Sequence, residues 1–292
     1  MGNEKTFSGR VFDVCNYAFL TFFSICTILP LIYMISGSFA SNTQLATSSF
    51  FLIPEHATMA AYQYIFSTGA IIRGLIVSVY VTVLGTLLNL AFTATMAYAL
   101  SRKELPGRNF VLNLIIFSMV FSGGLIPTYF VVKQLGMLDT LWSLMIPGLI
   151  DAFNLIIMKN FFQGISTSLI EAAKIDGCSD IGVFLRIVLP LSKPALATFA
   201  LFYAVGHWND FMSALLYINN SNLWPLQMLL QEIVTGAQSL ASQSLQNPGY
   251  VPPPAQSIQM AVMVISTLPL VLLYPFLQKY FVKGVMIGAI KE

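Results

Sequence analysis

The sequence predicts an all-α, polytopic membrane protein with six transmembrane helices, and three observations carry that prediction. Hydrophobic residues fill 57% of the 292 positions while charged residues reach only 9%, a balance well outside that of soluble domains. The apolar residues gather into runs of about 20 or more, the length that crosses ~30 Å of hydrocarbon as a helix. These runs fall at roughly 16–37, 71–100, 109–133, 141–163, 195–219 and 257–281. A net charge of +2 matters less than where the charges lie. With the N-terminus inside, all of the 14 Lys and Arg residues except Arg73 and Lys133 fall at inner ends, as the positive-inside bias requires. Both termini and the charged segment between spans four and five are then cytoplasmic, and the chain reads as one domain, 1–292, with outer segments 40–70 and 220–256.

Span one follows a polar, basic stretch, a pattern shared with signal peptides, but it is too long for their apolar region and reads as an uncleaved helix. Cys15, Cys26 and Cys178 are odd in number and lack metal-ligand spacing, so neither a disulfide framework nor a metal site is expected. The first outer segment carries AAYQYIF at 60–66, suited to an interface or an external protein surface; His56 has no neighbouring ligand and reads as solvated or capping. Span two holds Thr82, Gly85, Thr86, Thr93 and Thr95, small and hydroxylated residues that let helices approach closely in lipid.

Span three contains Gly123, Gly124 and Pro127, which loosen or bend a helix; a hinge, a cavity-lining break and a packing kink are all open readings. Span four holds Asp151 and Asn154 among apolar neighbours. An intramembrane carboxylate costs ~2.5–3.5 kcal/mol on insertion scales, so this pair is expected at a wet cavity, with a helix-to-helix hydrogen bond as the alternative. Span five carries His207, Trp208, Asn209 and Asp210, about 20 Å up from Pro194. Trp208 can stack on a sugar ring and Asn209 or Asp210 can bond hydroxyls, or Trp208 packs and the polar pair bridges helices. The Gln- and Ser-rich segment 220–256 reads as a long outer loop stiffened by Pro252, Pro253 and Pro254.

Between spans four and five lies EAAKIDGCSDIGVFLRIVLPLSKP, Glu171 to Pro194. It reads as two short helices. Ser168 and Glu171 have capping-box spacing, Gly177 ends the first helix, and Ser179 or Asp180 starts a second. Ile181, Phe184, Leu185 and Val188 then share one apolar face, and Pro190 stops the helix.

The spacing of Glu171, Ala172, Ala173, Gly177, Ile187, Leu189 and Pro190 resembles the EAA loop of ABC importer permeases, and Asp176, Phe184 and Pro194 fit its carbohydrate-type version. Cys178 stands where a small residue such as alanine is usual. LIPTYFVVKQLGMLDTLWSLMIPGLIDAFNLIIMKNFF (125–162) and the C-terminal MAVMVISTLPLVLLYPFLQKYFVKGVMIGAIKE also resemble that family, closest to its complex-oligosaccharide group, polygalacturonate- or alginate-like, so that the likeness covers most of 70–292.

That resemblance implies a cytoplasmic coupling-helix loop, 168–194, between helices four and five. Glu171, Ala172, Ala173, Asp176, Gly177, Phe184, Leu185 and Arg186 would dock the ATPase. The cavity set, Asp151, Asn154, Trp208, Asn209 and Asp210, comes from the chemistry of those residues and not from the resemblance, which implies that the sugar can contact mainly the other permease subunit. The resemblance further implies a bacterial cytoplasmic (inner) membrane location and partners: a homologous permease forming a heterodimer, two ATPase subunits holding ATP and Mg, and an extracytoplasmic solute-binding protein. No cofactor in this chain and no nucleic-acid partner are expected. The motor must be another chain, since no GxxxxGK[ST] occurs. A membrane-embedded enzyme would need a nucleophile–base pair or HExxH, and neither is present. An ion-coupled transporter would have only Asp151 and Asp210 as coupling carboxylates and leaves the loop motif unexplained.

Overall fold

The computed structural model describes residues 7–48, 50–67, 69–244 and 256–272. They are mostly helical, with no strand among them. Two compact units are formed, one from Met1–Gly69 with Glu232–Thr267, the other from Ala70–Gln231 with Leu268–Glu292.

In the first unit, α1 (Phe7–Ser38) begins nine residues before the predicted span and continues past Pro30. Short helices α2 (Asn42–Thr47) and α3 (Ala60–Ser67) follow in the outer segment. Ser41 caps α2, and Tyr62 reaches back from α3 to the Ser38 hydroxyl at 2.9 Å. His56 is exposed, and no metal-binding cluster exists among the described residues.

The second unit is organised by α4 (Ala70–Ser101), the second predicted span almost to the residue. It packs against α7 (Ala152–Gln163) and α11 (Lys193–Asn209). Ala97, Leu155, Met158, Val183, Val188 and Phe199 form the centre of the core there.

The other predicted spans are not unbroken helices. Span three is α5 (Arg108–Val120) and α6 (Leu125–Gln134), separated by Phe121–Gly124. Gly124 adopts φ +88 and opens α6, so Pro127 lies in a first turn, where its missing N–H costs nothing. Span four is corrected further. After a 3-10 turn at Leu141–Leu144 the chain is irregular until α7, because Pro147-Gly148 interrupts the ladder and Asp151 restarts it. Span five ends as a continuous helix at Asn209; α12 (Met212–Tyr217) completes it after a break at Asp210-Phe211.

The predicted outer loop 220–256 is also corrected. Beyond a 3-10 turn at Ser221–Leu223 it is mostly helix, α13 (Leu226–Ser244); the Gln and Ser residues that suggest a loop are neutral enough for a helix, and its proline run lies outside the described residues. Helix α14 (Gln256–Leu272) is the described part of span six, and residues 273–281 of that span lie outside it. Among the described residues α1 and α4 are long and apolar enough to cross a membrane alone.

Candidate functional site

The charged loop folds as two turns of chain locked by backbone geometry. Helix α8 (Thr167–Ile175) closes in a complete Schellman motif: Cys178 N donates to Ala173 O at 2.9 Å and Gly177 N to Lys174 O at 3.0 Å. Gly177 has φ +81, the left-handed conformation that favours glycine, as expected. Helix α9 (Asp180–Val183) then starts on Ser179, whose hydroxyl accepts from Gly182 N at 3.2 Å. Across the turn Lys174 Nζ meets Asp180 Oδ1 at 2.8 Å. That hydrogen bond holds the Asp180 carboxyl below, and the Lys174 ammonium above, its ordinary value.

Three readings of this loop are corrected. The N-cap of α8 is Ser166, two residues before Ser168, so Glu171 is not at the third helical position and the capping box does not form; Ser168 Oγ pairs instead with Ser166 Oγ at 2.6 Å. Pro190 does not stop the helix. Residues Phe184–Val188 form a π turn, Leu189 N bonding Phe184 O, and α10 (Leu189–Leu191) carries Pro190 in its first turn; the break falls at Ser192. There the buried Ser192 hydroxyl bonds Val188 O at 2.7 Å, and the axis turns by 81° into α11.

The wider π turn also splits the predicted apolar face. Phe184 is half-buried and Val188 fully buried, joined inside by Val183, whereas Ile181 and Leu185 are exposed. The outward surface of the loop thus carries Glu171, Ala172, Asp176, Leu185 and Arg186 beside the exposed Ile175, which is 86% accessible. Ala173 is half-buried, which fits its carbonyl's place in the Schellman motif.

What holds the loop to the membrane helices is a residue with little local signal in the sequence. Tyr98, near the end of α4, packs its ring at a tilt against Phe184 with centroids 4.9 Å apart and donates its hydroxyl to Asp180 O at 3.1 Å. Arg102 lies over the same ring at 4.5 Å and donates to the tyrosine oxygen at 2.7 Å. One aromatic side chain thus ties α4 to α9 and the π turn. Its only sequence signal is an aromatic one turn before Arg102-Lys103 at a span end.

The candidate cavity residues divide into helix-start carboxylates and buried packing groups. Asp151 is the N-cap of α7, its Oδ1 accepting from Asn154 N at 2.8 Å, and Asp210 does the same for Ser213 N at 3.0 Å. Both carboxylates are therefore engaged by backbone amides at helix starts, where the dipole favours negative charge. Asn154 is buried and Trp208 only 5% exposed, so the indole packs within the protein rather than offering a free face. Asn209 is exposed, with Nδ2 bonded to Val205 O at 2.9 Å. Asp151 meets span five not at Trp208 but at Tyr203, whose hydroxyl accepts from Asp151 N at 3.4 Å and pairs with Thr93 at 2.8 Å.

A second polar node lies farther along α4. Asn89, buried to 1%, donates to the Gly148 and Leu149 carbonyls at 2.7 and 2.9 Å and pairs through Oδ1 with His207 Nε2 at 2.7 Å. Gly85 makes room for that imidazole: a Cβ there would stand 2.5 Å from Nε2. The small residues of span two are thus clearance for a polar helix contact. At the other end Asp139, at φ +57, accepts from Asn219 N at 2.5 Å, Asn220 N at 3.0 Å and Asn219 Nδ2 at 3.3 Å. Those donors, Asn220 N foremost, hold its carboxyl below the ordinary value and clasp the segment after α6 to the segment after α12.

Known proteins share this sequence and fold. The model of the family described as "binding-protein-dependent transport system inner membrane component" matches residues 92–287. Protein LplC of Bacillus subtilis (strain 168) is 57% identical over 290 residues, covering 99% of this chain and 97% of that protein. The polygalacturonan/rhamnogalacturonan transport system permease protein YtcP of the same organism is 50% identical over 282 residues, covering 97% and 99%. A solved bacterial ABC transporter "involved in the import of the acidic polysaccharide alginate" contains a chain that superposes with a TM-score of 0.87 at 31% identity, covering 96% of this chain and 100% of that one. The family match spans well over half of the sequence, and the chain accordingly belongs to the binding-protein-dependent transport system inner membrane components, which are translocation subunits of ABC importers and not enzymes.

Proposed function

We propose that this chain is one permease half of an ATP-driven importer for oligosaccharides, acidic ones among them, and that the 168–194 loop couples it to the ATPase. The substrate class is supported by the relatives, one named as a polygalacturonan/rhamnogalacturonan permease and one as part of an alginate importer. The observation that carries the coupling role is the Tyr98 anchor. A loop locked by a Schellman motif and fastened to α4 moves as a piece, so a force on its outward residues reaches α4 and the attached α11. Glu171, Ala172, Asp176, Gly177, Leu185 and Arg186 make the docking surface, with the half-buried Ala173 and Phe184 supporting it from beneath.

The complex has a second, homologous permease, two ATPase subunits carrying ATP and Mg, and an external binding protein, with both termini of this chain cytoplasmic. Asp151, Asn209 and Asp210 face the cavity, backed by the buried Asn154 and Trp208. Alternating access follows if the loop is held differently in the open and closed ATPase dimer, since only a differential contact shifts a conformational equilibrium.

The test is ATPase activity and uptake by the full complex in liposomes, with binding protein, across neutral and acidic oligosaccharides. Stimulation by oligouronides identifies the substrate class. Stimulation by neutral sugars alone removes the acidic assignment, and no stimulation by any sugar removes the carbohydrate reading.

A further inference from the structure

Arg108 and Lys159 are like charges held close together where α4 and α7 end and α5 begins. Their level is fixed by α4, which is long enough to cross a membrane and ends at Ser101, so that its last carbonyls mark a membrane surface. Arg108, the first residue of α5, donates Nε to Leu100 O at 2.8 Å and Nη1 to Asn109 Oδ1 at 3.2 Å. Gln163, the last residue of α7, donates Nε2 to Ser101 O at 3.4 Å. Lys159 lies four residues before Gln163, ~6 Å of helix toward the hydrocarbon. It is half-buried, and the charge that acts on it is the Arg108 guanidinium, of the same sign. Neither cation makes an ion pair among the described residues, and Lys159 Nζ has no acceptor there.

An ammonium drawn partly out of water beside a like charge is costly unless a negative group joins the two. At this depth the four-carbon stem of Lys159 carries its charge back to the level of lipid phosphates. The seam beneath is apolar and open: α5 packs against α7 there, and Val111, Leu112 and Ile156 are only half-buried. We propose that this seam binds one anionic phospholipid. Its phosphate bridges Lys159 Nζ and Arg108 Nη2, and an acyl chain lies along Val111, Leu112 and Ile156. Basic pockets between membrane helices take anionic headgroups in this way. A zwitterionic lipid brings its own cation to the same place and leaves the charge uncompensated, and a soluble phosphate has nothing to lay in the seam. The site is independent of which sugar is carried.

The test uses the assembled complex, delipidated in detergent and titrated with dioleoylphosphatidylglycerol or dioleoylphosphatidylcholine, with bound lipid counted by native mass spectrometry. Wild type should hold phosphatidylglycerol at least about tenfold more tightly than phosphatidylcholine. Lys159→Gln combined with Arg108→Gln should lose one tightly held phosphatidylglycerol for each copy of this chain, and Lys159→Arg should keep it. An unchanged count in the double variant overturns the proposal in favour of a carboxylate from a partner subunit. Displacement of the lipid by glycerol phosphate overturns it in favour of a soluble phosphate. A reading on the wild-type complex stands even where a variant fails to assemble. Phosphatidylglycerol with a photoreactive acyl chain should crosslink to α5 and α7 at least about fivefold more than to α1, whose apolar surface is exposed but carries no such cation pair. Equal crosslinking to all three helices overturns the site.

Discussion

Helices α1 and α4 are each 32 residues long and almost equally apolar, yet they behave oppositely. In the most apolar stretch of α1 no residue is buried within the chain, against 22% in α4. The difference lies in where the polar side chains point. On α1, Ser24 and Thr27 turn back to carbonyls of their own helix, Leu20 and Ser24, and Phe12, Phe19, Phe22 and Phe23 are exposed. On α4, Ser78 accepts from Leu226 N, Asn89 reaches His207 and two loop carbonyls, and Thr93 reaches Tyr203. Hydropathy tells which segments enter a membrane. Small and hydrogen-bonding residues facing outward tell which of them becomes a hub, since lipid gives apolar side chains no reason to prefer protein.

The comparison breaks most sharply at Gly85. Gly85→Leu would drive a side chain into the His207 ring and part α4 from α11, an overpacking cost of about 1–3 kcal/mol or more, read as lost expression or a lower melting temperature in detergent. Asn89→Ala should come close behind, at about 1–3 kcal/mol, because it strands the His207 and Gly148 partners; a neutral result would mean water replaces the amide. Tyr98→Phe keeps the ring on Phe184 but loses both hydroxyl bonds, an effect of about 1 kcal/mol. Its signature should be functional: ATPase activity preserved while sugar uptake per ATP falls, and unchanged uptake would remove Tyr98 as the link.

Smaller again is the Lys174–Asp180 pair, which is solvent-exposed and screened. Because the Asp180 pKa is lowered in the fold, the pair's contribution is present above the ordinary carboxylate range and disappears as pH falls through the lowered value; because that of Lys174 is raised, it also fades as pH rises past the ordinary lysine range. Melting curves of wild type and Asp180→Asn should differ at neutral pH and converge in acid. Smallest is Phe19→Ala on α1, expected to leave the melting temperature of this chain alone unchanged; a measurable loss would show that α1 contributes to the fold of the single chain.

The legible parts of the molecule were those fixed by local chemistry. Gly177 requires a left-handed turn, Ser179 caps the next helix, and Gly123-Gly124-Pro127 interrupts a span, and each is visible in a few adjacent residues. The illegible parts depended on long-range pairing or on a shifted helical register. That Asp151 caps a helix was not legible because Pro147-Gly148 was not read as the end of the preceding turn, which left the aspartate in mid-helix instead of at a helix start. Trp208 looked available because its surroundings come from elsewhere in the chain. Tyr98 and Asn89 were missed for the same reason: their partners, Asp180 and His207, are more than 80 positions away.

The π turn at Phe184–Val188 has a consequence of its own. A π turn holds one residue more than the α turn it replaces, and here that surplus lies between helices α8 and α9 and helix α11. Deleting a single residue from it would restore an ordinary helix and swing everything before it by about 100° about the axis. Helices α8 and α9 would keep their sequence, caps and charges while facing the wrong way. The aim of the proposed coupling surface is therefore set by residue count as much as by residue type, and a length change in this joint should be tolerated far less well than most of the substitutions within it.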